Sequence, residues 1–319
     1  MKKIKTIFCG NPDFALTTLQ SLNNHMQIDL QGVITNTDKP VGRGKKLSSP
    51  PCAQFAKENN IPLFQTSNIN KDESLLEDLE NKRPELIIVV AFSHFLGKRI
   101  LELPSVGAFN IHASLLPKYR GAAPIQYSLL NGDTKTGISI QKMVKQMDAG
   151  DIVKSNAITI QATDTSVELY DKLKVLAVEA LNEFIKNVLD NDISATVQPL
   201  DGITFAPIIK KQDGFIDFKN ETFTQIQNKI RAYNPWPGCF CHFNDQVLKI
   251  FSIKKEDLSL KPGELTTKYH SLIIGVKDCS IRFNEVQLPG KKRCSDSDLL
   301  RGIQNHGDIK INNNKGPKE

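Results

Sequence analysis

The sequence predicts an α/β protein: a doubly wound (Rossmann-like), mostly parallel sheet followed by a second, smaller OB-like β-barrel domain. Strand-like and helix-like stretches alternate through the first half, the pattern that builds parallel strands with helical crossovers. The stretch 86–92, Leu-Ile-Ile-Val-Val-Ala-Phe, is apolar throughout at strand length, as a strand covered on both faces must be. Near 198–209 the pattern changes to short strands separated by Gly, Pro and Asn turns, which suits a small barrel.

Each element follows in order. Residues 4–9 form a first strand ending at Gly10, and Phe14, Leu16, Leu19 and Leu22 give 14–24 helical spacing. A strand at 28–35, a helix at 50–60, a short strand at 63–65 and a charged helix at 71–82 lead to the buried strand 86–92. After a strand at 108–112, Pro117, Gly121 and Pro124 prevent a regular helix, leaving a loop and a turn or two of helix at 126–131. Alternation marks strands at 136–142 and 152–160, joined through a turn at 148–151. The longest helix is 166–189, capped by Thr165 or Ser166. Beyond it come strands at 214–218, 238–243, 246–253, 263–266, 271–276 and 280–287, with one helix at 222–232. The polar tail after Gly302 is expected to fray. The domains expected are 1–190, a linker at 191–208, and 209–319.

Composition narrows the function classes. The chain has 319 residues, with 41 Lys and Arg against 35 Asp and Glu, a net +6. Residues 1–205 carry 22 of each sign, so the whole excess lies beyond 205, where 19 basic residues face 13 acidic ones. A solvated lysine-rich surface and a module that meets a polyanion both fit this balance. The longest apolar run is far short of the roughly 20 residues of a membrane span, so no membrane is expected as a partner. Six cysteines, at 9, 52, 239, 241, 279 and 294, form no CxxC pair. Cys239, Cys241 and His242 are close in sequence, but strand alternation splits them between two faces, and no zinc site is expected. The N-terminus enters a strand without an apolar leader, so reduced thiols and a cytoplasmic location are expected.

Few stretches carry chemistry by themselves. Gly10-Asn-Pro-Asp-Phe14 is not a dinucleotide fingerprint; a tight turn and a binding loop both remain open. Gly42-Arg-Gly-Lys-Lys46 is not a Walker loop; a mobile basic loop and a grip for a phosphate-rich partner both remain open. Asn110 and His112 are sharper. Two apart on a strand, they share a face at the carboxyl end of a central strand, where such sheets bind ligands. Asn can donate to an oxygen becoming an oxyanion, and His can give or take a proton. Asp148 could set the tautomer of that histidine if the fold brings it near.

The stretches 109–124 (Phe-Asn-Ile-His-Ala-Ser-Leu-Leu-Pro-Lys-Tyr-Arg-Gly-Ala-Ala-Pro) and 147–152 (Met-Asp-Ala-Gly-Asp-Ile) resemble the signature of formyltransferases that use 10-formyltetrahydrofolate. The stretches 8–14, 39–47, 205–214, 230–238 and 290–293 resemble the branch of that family acting on methionyl-tRNA. The resemblance runs from about residue 4 to 303. It implies a catalytic trio of Asn110, His112 and Asp148 performing acyl transfer to a substrate amine, with no protein nucleophile and no metal. It implies folate contacts at Phe92, Ser93, His94, Ser114, Leu115, Leu116 and Pro117. It implies contacts to charged initiator tRNA from Arg43, Lys45 and Lys46 and from the basic C-terminal barrel, in a monomer. The chain departs from the family at Ala91-Phe-Ser-His94, where Ala-Tyr-Gly is usual, and His94 reads as a lining residue rather than a base. A formyltransferase for an amino-sugar nucleotide and a non-catalytic RNA-binding protein remain as alternatives.

Overall fold

The computed structural model describes residues 3–41, 44, 46–244, 246–303 and 309–312. The described chain divides into two compact units, the first made of 1–124, 135–159 and 170–206, the second of 125–134, 160–169 and 207–319.

In the first unit the chain runs β1 (Ile4–Gly10), α1 (Asp13–Asn24), β2 (Ile28–Asn36), the hairpin β3 (Lys39–Val41) and β4 (Lys46–Ser48), α2 (Pro51–Glu58), β5 (Leu63–Thr66), α3 (Glu73–Lys82) and β6 (Leu86–Val90). It continues with α4 (Lys98–Leu101), β7 (Gly107–His112), β8 (Arg120–Gly121), then α5 (Pro124–Leu130), which beyond its first residue belongs to the second unit, and β9 (Lys135–Lys142), β10 (Ile152–Thr159), α6 (Ser166–Leu189, in the first unit from Tyr170 onward) and β11 (Phe205–Ala206). Seven strands form one sheet in the order β10-β9-β7-β6-β1-β2-β5. The pairs β5–β2, β2–β1, β1–β6 and β6–β7 are parallel; β7–β9 and β9–β10 are antiparallel. The mostly parallel, doubly wound sheet is therefore as the alternation predicts.

Local chemistry explains the boundaries. Every residue of β6 is buried, as its apolar run requires. The strand stops at Val90, two residues before the expected end at 92, because Ala91 turns out of it at φ +46°. Asp72 caps α3 by accepting from the Leu75 amide at 3.2 Å, so that helix starts later than the charge pattern suggests. Pro51 occupies the first turn of α2, where its missing N–H costs nothing. One face of the sheet packs Ile7, Ile34, Ile87 and Val89 against Leu75, Leu76 and Leu79 of α3. Phe109 of β7 meets Phe184 of α6, with ring centroids 4.7 Å apart.

The second unit adds α7 (Phe223–Tyr233), β12 (Cys239–Phe243), β13 (Gln246–Glu256), β14 (Leu265–Thr266), β15 (Ile273–Gly275), β16 (Ser280–Gln287), α8 (Asp296–Arg301) and β17 (Ile311–Asn312). Its sheet is an antiparallel half-barrel in the order β14-β15-β16-β13-β12-β17. A full capping box starts α7, with Thr222 and Gln225 satisfying each other's backbone amides. The expected strand 214–218 is not one. A 3-10 turn covers Lys211–Gly214, a single bridge joins Phe215 to Phe240, and the Asp217 carboxylate then takes the Lys219 amide at 3.1 Å, turning the chain away. Of the tail after Gly302, β17 (Ile311–Asn312) pairs with β12, while 304–308 and 313–319 lie outside the described residues. Helix α8, unforeseen, begins on Ser295, whose hydroxyl accepts from the Asp298 amide.

Candidate active site

In the first unit, strand β7 and the turn after β9 bring Asn110, His112 and Asp148 together. Strand β7 presents Asn110 and His112 on one face, and the antiparallel ladder sets Asn110 opposite Gln141 and His112 opposite Ser139. Asp148 arrives from the turn after β9, in the left-handed region at φ +52°. That conformation is uncommon for a residue other than Gly, though Asp tolerates it, and here packing and hydrogen bonds hold it. Gly150 closes the same turn. A Cβ there would overlap the Lys142 carbonyl, so only glycine fits.

The carboxylate of Asp148 is surrounded by donors. Its Oδ1 accepts from Gln141 Nε2 at 2.9 Å and from Asn110 Nδ2 at 3.3 Å; its Oδ2 accepts from the Gly121 amide at 2.8 Å. His112 Nδ1 lies 3.8 Å from Oδ2, the two side chains being 7% and 10% exposed. The other ring nitrogen, Nε2, is 2.9 Å from the Tyr119 carbonyl, which only accepts, so Nε2 carries the proton. The sequence left open whether Asp148 sets the tautomer; a backbone carbonyl fixes it, and Asp148 faces the other nitrogen. Tyr119 points its carbonyl inward because its backbone sits at φ +62°, held through Thr204, whose hydroxyl accepts the Tyr119 amide and whose carbonyl accepts the Arg120 amide, both at 2.9 Å.

Four supporting groups lay outside the sequence reading: Gln141, Gln198, Arg120 and the Gly121 amide. Gln198, 5% exposed, donates to the carbonyls of Asp148 at 2.9 Å and Gly150 at 2.7 Å, and accepts from the Arg120 guanidinium at 2.7 and 3.2 Å. Gln141 had a signal available, since a glutamine on the inward face of an alternating strand needs partners. Gln198 had none, because nothing in the local pattern brings 198 to the turn at 148.

The remaining candidates divide. Phe92 and His94 stand side by side with ring centroids 5.0 Å apart. His94 Nε2 meets Asn36 Oδ1 at 2.7 Å, and Asn36 Nδ2 donates to Ser93 Oγ at 2.9 Å, so the departure from the family's Tyr-Gly ties the loop after β6 to the end of β2. Burial, with the nearby Lys39 ammonium, holds the His94 imidazole below its ordinary pKa. Ser114, Leu115, Leu116 and Pro117 form the loop after β7; Leu116 and Pro117 are joined by a cis bond, and the buried Ser139 hydroxyl donates to the Ser114 carbonyl and accepts the Leu116 amide. Lys46 is exposed on β4, while Arg43 and Lys45 lie outside the described residues. Cys239 and Cys241 are buried on the inner face of β12 with His242 on the other, and no His/Cys/Asp/Glu group among the described residues is arranged to hold a metal ion.

A buried His flanked by a half-buried Asn and Asp at a strand end, with no nucleophile of their own, suits transfer of an acyl group between two bound substrates. Comparison with known proteins agrees. The family described as formyl transferase matches residues 2–185, and the family described as formyl transferase, C-terminal domain, matches 208–304. The chain belongs to the formyl transferase family. The methionyl-tRNA formyltransferase of Geobacter metallireducens is 37% identical over 313 residues, covering 98% of this chain and 99% of its own. That of Francisella tularensis subsp. mediasiatica is 38% identical, covering 95% and 96%. Among solved structures, the N-formyltransferase of Helicobacter canadensis in complex with folinic acid and dTDP-3-aminofucose superposes with a TM-score of 0.64 at 21% identity, over 88% of this chain and 98% of that one. HypX from Aquifex aeolicus gives 0.59 at 15% identity over 94% of this chain, which spans only 49% of HypX. These two likenesses concern the formyltransferase fold. No helix among the described residues is long and apolar enough to cross a membrane.

Proposed function

We propose that the protein moves a formyl group from 10-formyltetrahydrofolate to the α-amine of methionyl-tRNA, the charged initiator species, in support of translation initiation. The observation that carries the chemistry is the placement of His112: Nε2–H is committed to the Tyr119 carbonyl, and Nδ1 is directed toward the Asp148 carboxylate. Relatives named for this activity, matched over nearly their whole length, support the choice of acceptor.

In this reading the amine nitrogen bonds to the formyl carbon, and the carbon's bond to the folate nitrogen then breaks. One proton leaves the amine and one is returned to the folate nitrogen. Asn110 has two amide hydrogens; one faces Asp148, and the other is offered to the formyl oxygen as it becomes an oxyanion. Protonated His112 offers Nδ1–H to the same oxygen, and Asp148 balances the imidazolium and carries the amine proton away. A single such donor is typically worth about 10²–10³ in rate. The donor substrate in this reading lies at Phe92, Ser93 and His94 and along Ser114, Leu115, Leu116 and Pro117, where two adjacent aromatic rings and backbone groups suit a flat, hydrogen-bonding heterocycle. The acceptor end of the tRNA in this reading lies against Arg43, Lys45 and Lys46, with a basic C-terminal domain at 209–319 gripping phosphates without reading bases. The protein works in this reading as a cytoplasmic monomer, and no metal takes part.

Replacing His112 with Ala tests the assignment. Formylmethionyl-tRNA formation should fall by at least about 10²-fold while tRNA binding stays near normal. Undiminished turnover in that variant removes His112 from the mechanism.

A further inference from the structure

We infer that Gln198, oriented by the buried Arg120 guanidinium, is a positioning residue that holds Asp148 and His112 in one geometry. The inference rests on the proposed formyl transfer for its rate readout, but its structural half stands apart from that reading. Gln198 belongs to the stretch between α6 and β11, expected from the sequence to be a linker, and that stretch pairs Thr196 with Ile152 before its side chain reaches the site.

The side chain's orientation is forced. Arginine only donates, so the Gln198 oxygen must face Arg120, whose Nε and Nη2 lie 3.2 and 2.7 Å away. The amide NH₂ then faces three acceptors: the Asp148 carbonyl at 2.9 Å, the Gly150 carbonyl at 2.7 Å and Gln141 Oε1 at 3.3 Å. Both ends of the 148–150 turn are thus fixed by one side chain. Gln141, the third contact, also donates to the Asp148 carboxylate and accepts the Gly150 amide at 3.2 Å. The turn that needs this support is the one whose aspartate sits at positive φ.

Arg120 links this clamp to the histidine. It lies between Tyr119, whose carbonyl fixes His112, and Gly121, whose amide holds Asp148 Oδ2. Arg120 is 6% exposed, so its guanidinium anchors the 119–121 segment from below the surface. One Arg–Gln contact therefore joins the segment that orients the histidine to the turn that delivers the carboxylate.

The test is Gln198→Glu in the full-length protein. Glutamate keeps the shape and the acceptor for Arg120, turning that contact into an ion pair, but it presents an oxygen to the two carbonyls instead of N–H donors. Amide hydrogen exchange at 148–151 should quicken by about tenfold or more, because the turn loses its clamp. In the formylation assay kcat should fall by about 10–100-fold, with KM for both substrates within about threefold, the pattern of lost transition-state geometry. Placed on an Asp148→Asn background, the same change should add less than about twofold, since its effect passes through Asp148. If the glutamate variant fails to fold, Gln198→Asn, an amide too short to span the gap, reads the same quantities. Unchanged exchange at 148–151 overturns the clamp. Faster exchange with unaltered kcat overturns the positioning role, and full multiplicative losses in the double variant show that Gln198 acts independently of Asp148. A wild-type protein that does not formylate methionyl-tRNA at all refutes the proposed function instead, and exchange still decides the clamp.

Discussion

Changing Asp148 to Asn removes one charge and almost no volume, and the structure sets what should follow. The new amide nitrogen must replace Oδ1 or Oδ2. At Oδ1 it meets two donors, Gln141 Nε2 and Asn110 Nδ2; at Oδ2 it meets the Gly121 amide and faces His112 Nδ1. The second choice creates fewer donor–donor conflicts, and it leaves the Gly121 amide unsatisfied at a cost of about 1–3 kcal/mol in stability. The larger effect is electrostatic. Positive charge developing on the imidazole in the transition state lies 3.8 Å from the Asp148 carboxylate, an attraction of about 4 kcal/mol at an effective dielectric of about 20. Full loss of that stabilisation corresponds to about 10³ in rate, and partial compensation by water leaves about 10²–10³. Steady-state formylation should therefore show kcat reduced by that factor, KM for the folate and the tRNA changed by only a few fold, and a urea midpoint shifted modestly downward. A kcat within about fivefold of wild type would falsify the assigned role of the Asp148 charge.

Other consequences are equally checkable. Gly150→Ala should lower kcat by about tenfold or more with the fold retained, because a methyl cannot fit against the Lys142 carbonyl without moving the Asp148 turn, and a wild-type rate rules out a tight turn. In the second unit, Asp296 is 1% exposed and bound by Arg282 Nε at 2.8 Å and Nη2 at 3.0 Å; Arg282→Met should cost about 3 kcal/mol, near the low end for an orphaned buried charge because Arg282 is partly exposed, measured as urea unfolding followed at Trp236. Lys46→Ala should weaken tRNA binding across all sequences and reduce the slope of log affinity against log salt by about 1, while a small formyl acceptor is unaffected. Burial pushes the Cys52 thiol up to about 12. The unfolded chain releases that proton near pH 8.5 and the folded chain keeps it, so this contribution to stability is intact below pH 8.5 and declines as pH rises toward 12. Urea midpoints at pH 7.5 and 10 should show the loss, and Cys52→Ala should lessen it; equal pH dependence in both proteins contradicts it.

Residues whose environment is written locally were readable from the sequence. The apolar run of β6 announces a central strand, and two-residue spacing puts Asn110 and His112 on one face whatever the partners. The convergence on Asp148 was not local: the sequence offered it as a partner for His112 without placing it there, and the resemblance to a known signature joined the three. What stayed hidden depends on long-range pairing. The short strands Arg120–Gly121 and Phe205–Ala206 exist only because they bond to each other across more than 80 residues, and neither has strand composition. Gln198 acquires its role through that same return of the chain. The tautomer of His112 could not be read because the deciding acceptor is a backbone carbonyl, which any residue at 119 would supply. Likewise 214–218 looks like a strand from Phe215, Ile216 and Phe218, yet all three are buried without alternation, and the Asp217 turn prevents a ladder.

The most direct measurement supplies the purified protein with 10-formyltetrahydrofolate labelled in the formyl carbon and offers two acceptors in separate reactions, methionyl-tRNA and a nucleotide-linked amino sugar. Label is expected on the α-nitrogen of methionine, formed at a rate that Asp148→Asn lowers by about 10²–10³. Label on the sugar amine with none on methionine, or transfer to methionine that does not depend on Asp148, contradicts it.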